Sequence, residues 1–381
     1  MAGGPATILY LHSSSGRYGA DRQLQLIAAG LDPQRYRPLV VLPQAGPLVD
    51  DLRSAGVEVV LEDVAVLRRE HLTLGGVSTL AARTGRDGLR LARLIRRRGA
   101  SLVHSNTSVV LGGAPAAALT RRPHVWHVRE IYSRWPRFWP GYRRLLGTAA
   151  ALPCVSAATA TQFGQAPRTR VIVDGLASDP RRAAGQVARQ QLALPAGAPV
   201  LAVLGRISDW KGQDILVRAL AEPPLRARGA IGLIAGEAWP GAEERTARII
   251  ELARQLDVSD RLRLLGFRSD LSTVLGAADV VAVPSTAPDP LPGSAIEAAA
   301  AGCAVIAANH GGLPEILRDG VTGRLVAPGD PAALATAAAE LIDDPALRER
   351  WGEAAARDVR ERFAPSRLLG AVQALYDELL G

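Results

Sequence analysis

Arg206 and Lys211 stand five residues apart in VLGRISDWKGQDIL (203–216), and Asp289 and Glu297 stand eight apart in PSTAPDPLPGSAIEAAAAGCAVIAANHGGLPEILRDGVTGRLVAPGD (284–330). The chain has 45 basic residues, and Lys211 is its only lysine. A lone lysine in an arginine-rich chain marks a place that calls for a compact ammonium rather than a planar guanidinium fork. Two cations in a loop that opens a helix, where backbone N–H groups and the helix dipole already favour negative charge, suit a diphosphate. The alternative on these residues is a solvated basic loop. Two carboxylates eight apart, one in a loop and one in the first turn of a helix, can accept hydrogen bonds from neighbouring hydroxyls of a ribose or hexose ring. Here too a structural reading stands beside the functional one, because Ser294-Ala-Ile-Glu297 fits a capping box.

These residues need a scaffold, and the pattern around them supplies one. Short apolar runs alternate with amphipathic stretches of helix length, beginning TILYL (7–11), ADRQLQLIAAGL (20–31) and PLVVL (38–42), and continuing to RVIVDG (170–175). That alternation predicts an α/β chain with parallel sheets covered by helices on both faces. Near residue 178 the text turns polar and rich in Ala, Arg, Pro and Gly, which places a domain boundary there. A second series starts at PVLAVL (199–204) and runs through AIGLIAG, RLRLLG, DVVAVP, CAVIAA and GRLVAP. Two Rossmann-like domains follow, 1–178 and 179–360. In both, a first strand enters a glycine-bearing loop and then a helix, as ILYLHSSSGRYGADRQL and LAVLGRISDWKGQDIL show. Ligands of such sheets collect at the carboxyl ends of the strands, so the two sets of loops are expected to face one another across a cleft.

Composition narrows the class of protein. Of 381 residues, 48% are hydrophobic and 22% charged, which excludes a disordered or fibrous chain. Cys154 and Cys303 lie far apart within apolar runs and are read as buried thiols of a reducing compartment. With no basic and apolar leader at its start, the chain is expected in the cytoplasm. The net charge of +8 is unevenly shared: residues 1–178 carry 23 arginines and 11 acids, a net of +12, which leaves −4 for the remainder. Within the first half, WHVREIYSRWPRFWPGYRR (126–144) holds six aromatics with Arg129, Arg134, Arg137, Arg143 and Arg144. That mixture suits weak contact with an anionic membrane surface, stacking on sugars, or a solvated loop with its aromatics turned inward. Nucleic acid is not expected as a partner, since no recognisable binding module accompanies the patch.

The stretch 284–330 resembles the donor-binding signature of retaining GT-B glycosyltransferases of family 4. That signature is Glu, seven residues and Glu-Ala, then Gly, a strand, Gly-Gly-x-Pro-Glu and Gly-x-Thr-Gly. Its parts are DPLPGSAIEA, AGCAVIAA, GGLPEI and GVTG here, with Asp289 in place of the first glutamate. The resemblance covers nearly the whole chain. It implies a first domain that binds the acceptor, a second that binds a nucleotide-sugar, and a C-terminal helix (361–381) packed back on the first domain.

Residue by residue, the resemblance assigns Glu297 to the nucleotide ribose and Asp289 to hydroxyls of the transferred sugar. Amides near Leu291, Gly293, Ser294 and Ala295 would face the sugar and diphosphate. Arg206 and Lys211 match the pair that clamps the leaving diphosphate, and Phe267 and Arg268 in LLGFRSD match a loop lining the nucleobase. In the first domain, Gly19 keeps the second glycine of a loop that donor phosphates approach, while Tyr18 replaces the first and narrows an acceptor pocket that Arg129 also borders. His127, ending HVWH, takes the place of a histidine near the reaction centre. His127, Asp289, Arg206 and Lys211 are thus the expected catalytic group. The implied function is transfer of a hexose-type sugar from a nucleotide-sugar donor to an unknown acceptor, with retention of configuration. No Asp-x-Asp occurs, so neither a metal nor any other cofactor is expected. A GT-B sugar phosphorylase, a nucleotide-sugar epimerase and a non-catalytic nucleotide- or sugar-binding module remain as alternatives.

Overall fold

The computed structural model describes residues 4–68, 71, 73–132 and 135–381. By contact density the chain divides into two compact units, Met1–Ala177 with Pro365–Gly381, and Ser178–Ala364.

The first unit is built on a parallel sheet of β1 (Ala6–Leu11), β2 (Tyr36–Leu42), β3 (Glu58–Leu61), β4 (Ala100–Ser105) and β5 (His124–Trp126), in the order β3-β2-β1-β4-β5. Its strands are apolar runs because helices cover both faces, and Ile8, Leu9, Tyr10 and Leu11 of β1 have no exposure at all. The order reverses between β1 and β4. Two further apolar runs, ALPCVS (151–156) and RVIVDG (170–175), pair with each other as β6 (Leu152–Cys154) and β7 (Thr169–Val171). Only isolated bridges, Val125 to Ala151 and Val128 to Cys154, tie β6 to β5. Pro153 explains this. Leu152 donates to Arg168 and Cys154 accepts from Ile172 on the β7 side, so position 153 faces β5, and proline offers the carbonyl there but no N–H.

The helix Pro365–Leu380 belongs to the first unit. Its Leu368, Val372, Leu375 and Tyr376 are buried, Gln373 Oε1 accepts the Asp32 N–H at 2.9 Å, and Asp377 takes the Tyr36 hydroxyl at 2.5 Å.

The second unit carries a six-stranded parallel sheet: β8 (Val200–Leu204), β9 (Ile231–Ala235), β10 (Leu262–Leu264), β11 (Val280–Val283), β12 (Ala304–Ala308) and β13 (Arg324–Val326). The order is β10-β9-β8-β11-β12-β13, with the reversal between β8 and β11. At such a reversal the crossover connections leave in opposite directions, and the loops after the two central strands are left uncovered. β8, β9, β11 and β12 are buried along their whole length. Cys154 and Cys303 are both buried free thiols, and burial pushes the first up to about 12. Among the described residues, no helix is long and apolar enough to cross a membrane.

Candidate functional site

In the second unit the loop after β8 is strung between its neighbours on both sides. Ile207 N–H donates to the Glu237 carbonyl (2.9 Å) after β9, and Thr286 N–H after β11 donates to the Trp210 carbonyl (2.8 Å). Gly212 lets the loop turn into the helix Gln213–Ala221. It sits at φ +76°, and a Cβ there would lie 1.9 Å from the Pro284 carbonyl oxygen, so only glycine lets the two loops come this close. A matching approach from the β12 side comes from Gly311 at φ +60°, where a Cβ would lie 2.3 Å from the Asp289 carbonyl oxygen. Gly312 N–H donates to that same oxygen at 2.8 Å.

These constraints bring Lys211 to Asp289, with Nζ 2.6 Å from Oδ2. The carboxylate is 5% exposed and the ammonium 22%, so the lysine keeps a wet side. Three N–H bonds radiate from an ammonium, and Asp289 takes one of them. The Trp210 ring, 4.5 Å from Nζ, closes another flank. Arg206 lies on the β9 side of the same loop, its guanidinium 3.2 Å from the Trp239 ring centroid, and Trp239 is 50% exposed. The two cations thus flank one loop. Ser208 Oγ, Gln213 Oε1 and Ser285 Oγ nearby are buried with no protein partner among the described residues, although most buried polar atoms have one.

The helix Gly293–Ala300 starts beside Asp289. Its cap residue is Pro292, so Ser294 is the second helical residue and the anticipated Ser294–Glu297 capping box does not form. Glu297 accordingly lies just beyond the first turn, half-buried. The Gly293 and Ser294 amides open the helix with no carbonyl one turn below them. The Ala295 amide donates to the Pro292 carbonyl (3.0 Å). Leu291 is 9% exposed beside these groups. Phe267, 43% exposed, and the half-buried Arg268 follow β10, where Glu237 Oε1 accepts the Phe267 N–H at 3.0 Å. Among the described residues, no three His, Cys, Asp or Glu side chains gather as a metal site requires.

In the first unit, Tyr18 caps the helix Gly19–Gly30, and its N–H donates to Asp21 Oδ2 at 2.8 Å. A Cβ on Gly19 would meet nothing within 4 Å. Asp21 also accepts from Ser14 and meets His12 Nε2 at 2.8 Å. Burial alone would raise its carboxyl, but these bonds hold it below the usual range. Asn106, after β4, joins the group through His12 Nδ1 (3.2 Å) and the Ala20 carbonyl. His127 is fully buried, and burial first, then Arg129 and His104, keep its imidazole well below its usual pKa.

Arg129, expected at an acceptor pocket, donates from Nη1 to Asp174 at 2.5 Å and from Nε to the Asn106 carbonyl at 2.8 Å, with 6% of its side chain exposed. Nothing in the sequence pairs residues 129 and 174. The aromatic segment turns inward: Trp126, Tyr132 and Tyr142 are buried, and Tyr132 stacks on Trp139 at 4.9 Å. Arg137, Arg143 and Arg144 stay exposed, and Arg134 lies outside the described residues. Three groups escaped the sequence reading. Trp239 follows no pattern, and His12 and Asn106 stand beside short serine- and threonine-rich runs with nothing in their spacing to single them out.

The family model described as "Glycosyltransferase Family 4" matches residues 18–175, and the one described as "Glycosyl transferases group 1" matches residues 186–358. The chain belongs to glycosyltransferase family 4. This family 4 chain is 38% identical over 203 residues to a D-inositol 3-phosphate glycosyltransferase of Streptomyces coelicolor, covering 51% of the chain and 43% of that relative. It thus spans less than half the length of the curated relatives it matches. Among solved structures, HepE of Anabaena in complex with UDP-glucose superposes with a TM-score of 0.83 at 27% identity, covering 98% of this chain and 99% of that one. Sucrose-phosphate synthase of Thermosynechococcus elongatus (TM-score 0.77, 22% identity, 98% and 99% covered) shares the fold. The fold of this family 4 chain is GT-B, with two Rossmann-like units.

Proposed function

We propose that the chain transfers a sugar from a nucleotide-sugar to an acceptor hydroxyl with retention of anomeric configuration and without a metal. One observation carries this reading: Lys211 and Asp289, 78 residues apart, meet at the reversal of the second sheet, beside the opening amides of a helix. A diphosphate there meets the outer N–H bonds of Lys211, the Arg206 guanidinium and the Gly293 and Ser294 amides. As the bond from the anomeric carbon to the diphosphate oxygen breaks, the electron pair leaves with the diphosphate. Cations already in place stabilise that growing charge more than they stabilise the bound donor. The acceptor oxygen makes the new bond and passes its proton to the departing diphosphate oxygen. Asp289, anchored by Lys211, presents its other oxygen to sugar hydroxyls, and Glu297 takes the ribose. Gly19 leaves open space at the start of its helix, as close approach of a phosphate to backbone requires.

HepE binds UDP-glucose, which makes that donor the first to try, and D-inositol 3-phosphate, for which the Streptomyces relative is named, a first acceptor. Turnover should be unchanged by a chelator, and the product anomer read by proton NMR should match the donor's. An inverted product or chelator-abolished turnover overturns the reading.

The two carboxylates should separate by substitution. Glu297→Gln removes a charged hydrogen bond to the nucleotide, a loss of about ten- to a hundred-fold in nucleoside diphosphate affinity by calorimetry. Asp289→Asn should lower turnover by a similar factor and leave that affinity within about threefold. Equal losses of affinity would show that the roles are divided wrongly.

A further inference from the structure

Behind His127 a file of buried groups crosses the first unit. Tyr10 of β1 meets Tyr376 of the C-terminal helix, hydroxyl to hydroxyl, at 2.7 Å. Tyr376 meets Nδ1 of His104 on β4 at 2.5 Å, and His104 Nε2 meets His127 Nδ1 at 3.3 Å. Each of the four side chains is at most 1% exposed. His127 Nε2 is buried and has no protein partner among the described residues.

Two directions of donation are possible along such a file, and they can be told apart by counting unmet groups. If Tyr10 donates to Tyr376, Tyr376 donates to His104 Nδ1 and His104 Nε2–H donates to His127 Nδ1. Every proton then has an acceptor except the one that His127 carries on Nε2. In the reverse direction His127 Nδ1–H donates inward and Tyr376 donates to Tyr10. The Tyr10 proton then has no acceptor, and His127 Nε2 becomes an unmet acceptor as well. One unmet group is favoured over two among side chains this deeply buried. Neither imidazole can evade the choice by charging, since burial holds both well below their usual range.

We propose that Tyr376 and His104 are positioning residues that fix His127 as the Nε2–H tautomer, a neutral hydrogen-bond donor matched to an oxygen of the donor sugar. The tautomer itself follows from the file alone; its use on a sugar hydroxyl rests on the proposed function. The C-terminal helix thereby acts on His127 without touching a ligand.

The two tyrosines provide the test. Removing the Tyr10 hydroxyl leaves the count at one against two, because Tyr376 still donates to His104. Without the Tyr376 hydroxyl the two directions become equal, since His104 Nδ1 then lacks a partner either way. In protein labelled with ¹⁵N-histidine, the His127 signal is identified by its loss in His127→Gln. It should show a protonated Nε2 and a bare Nδ1 in wild type and in Tyr10→Phe, and a mixture in Tyr376→Phe. With UDP-glucose, turnover of Tyr376→Phe should fall in proportion to its remaining Nε2–H fraction, about twofold, while Tyr10→Phe keeps the wild-type rate. A proton on Nδ1 or an imidazolium in wild type overturns the proposal, as does an unchanged tautomer in Tyr376→Phe. Wild-type protein inert toward every nucleotide-sugar would instead overturn the proposed function, with the tautomer still read.

Discussion

Lys211→Ala should cut turnover with a nucleotide-sugar by about 10²–10³-fold, the usual loss on removing one preorganised donor from a developing negative charge. Part of such a loss can come from Asp289, which is buried and would be left without its cation. The double variant Lys211→Ala with Asp289→Asn separates the two causes, because it removes the orphaned charge along with the lysine. If Lys211 serves the leaving diphosphate, the double variant stays at least as slow as Lys211→Ala. A double variant faster than Lys211→Ala and as fast as Asp289→Asn alone would show that the lysine serves only to neutralise the aspartate. Lys211→Arg keeps the charge but not the shape. Its planar fork must fit where Trp210 and Asp289 already flank Nζ at 4.5 and 2.6 Å. Loss of one charged hydrogen bond, about 1.5–3 kcal/mol, then gives roughly a ten- to hundred-fold fall in rate. An arginine variant as fast as wild type would refute the need for a compact ammonium.

The features that announced this fold in the sequence are those that repeat locally. Strand-length apolar runs separated by amphipathic helices are a short-range signal, and β8, β9, β11 and β12 appear where the pattern placed them. What the pattern does not specify depends on single residues or distant partners. β6 and β7 stand outside the main ladder because one proline faces β5 without a donor. The helix after Asp289 begins at Gly293, which displaces Ser294 from the cap and commits the Ala295 amide. Arg129 is held by Asp174, 45 residues on, and no local period encodes such a pair. In the sequence Lys211 and Asp289 look like ligands for different parts of a substrate, and only the sheet order reveals that they also bind each other. The six aromatics of 126–144 pack inward, because burying ring area outweighs their neighbourhood of charge, and Arg137, Arg143 and Arg144 turn to solvent.

Gly212→Ala should be among the most damaging changes of a single methyl group in the second unit. An L-residue at φ +76° is strained by about 1–2 kcal/mol, and that much would be tolerable alone. The added methyl also falls 1.9 Å from the Pro284 carbonyl oxygen, which is backbone and cannot rotate away. One of the two loops must therefore retreat, and the Thr286 to Trp210 hydrogen bond lies next to the point of contact. Adding the loss of that bond and of packing beside it, a total of about 3 kcal/mol or more is expected, within the range for overpacking and strain. For a unit of this size the melting temperature should fall by about 6–12 °C. Gly241→Ala is the control: φ is +81°, close to that of Gly212, but a Cβ there meets nothing within 4 Å, so strain acts alone. Its melting temperature should fall by only about a third to two-thirds as much, with turnover near wild type. Gly212→Ala should lose turnover as well, because the retreating loop carries Lys211 away from Asp289 and from any diphosphate bound beside it. Equal melting temperatures for the two variants would mean that the loops after β8 and β11 do not meet at Gly212, and the Lys211–Asp289 contact would lose its structural basis with them.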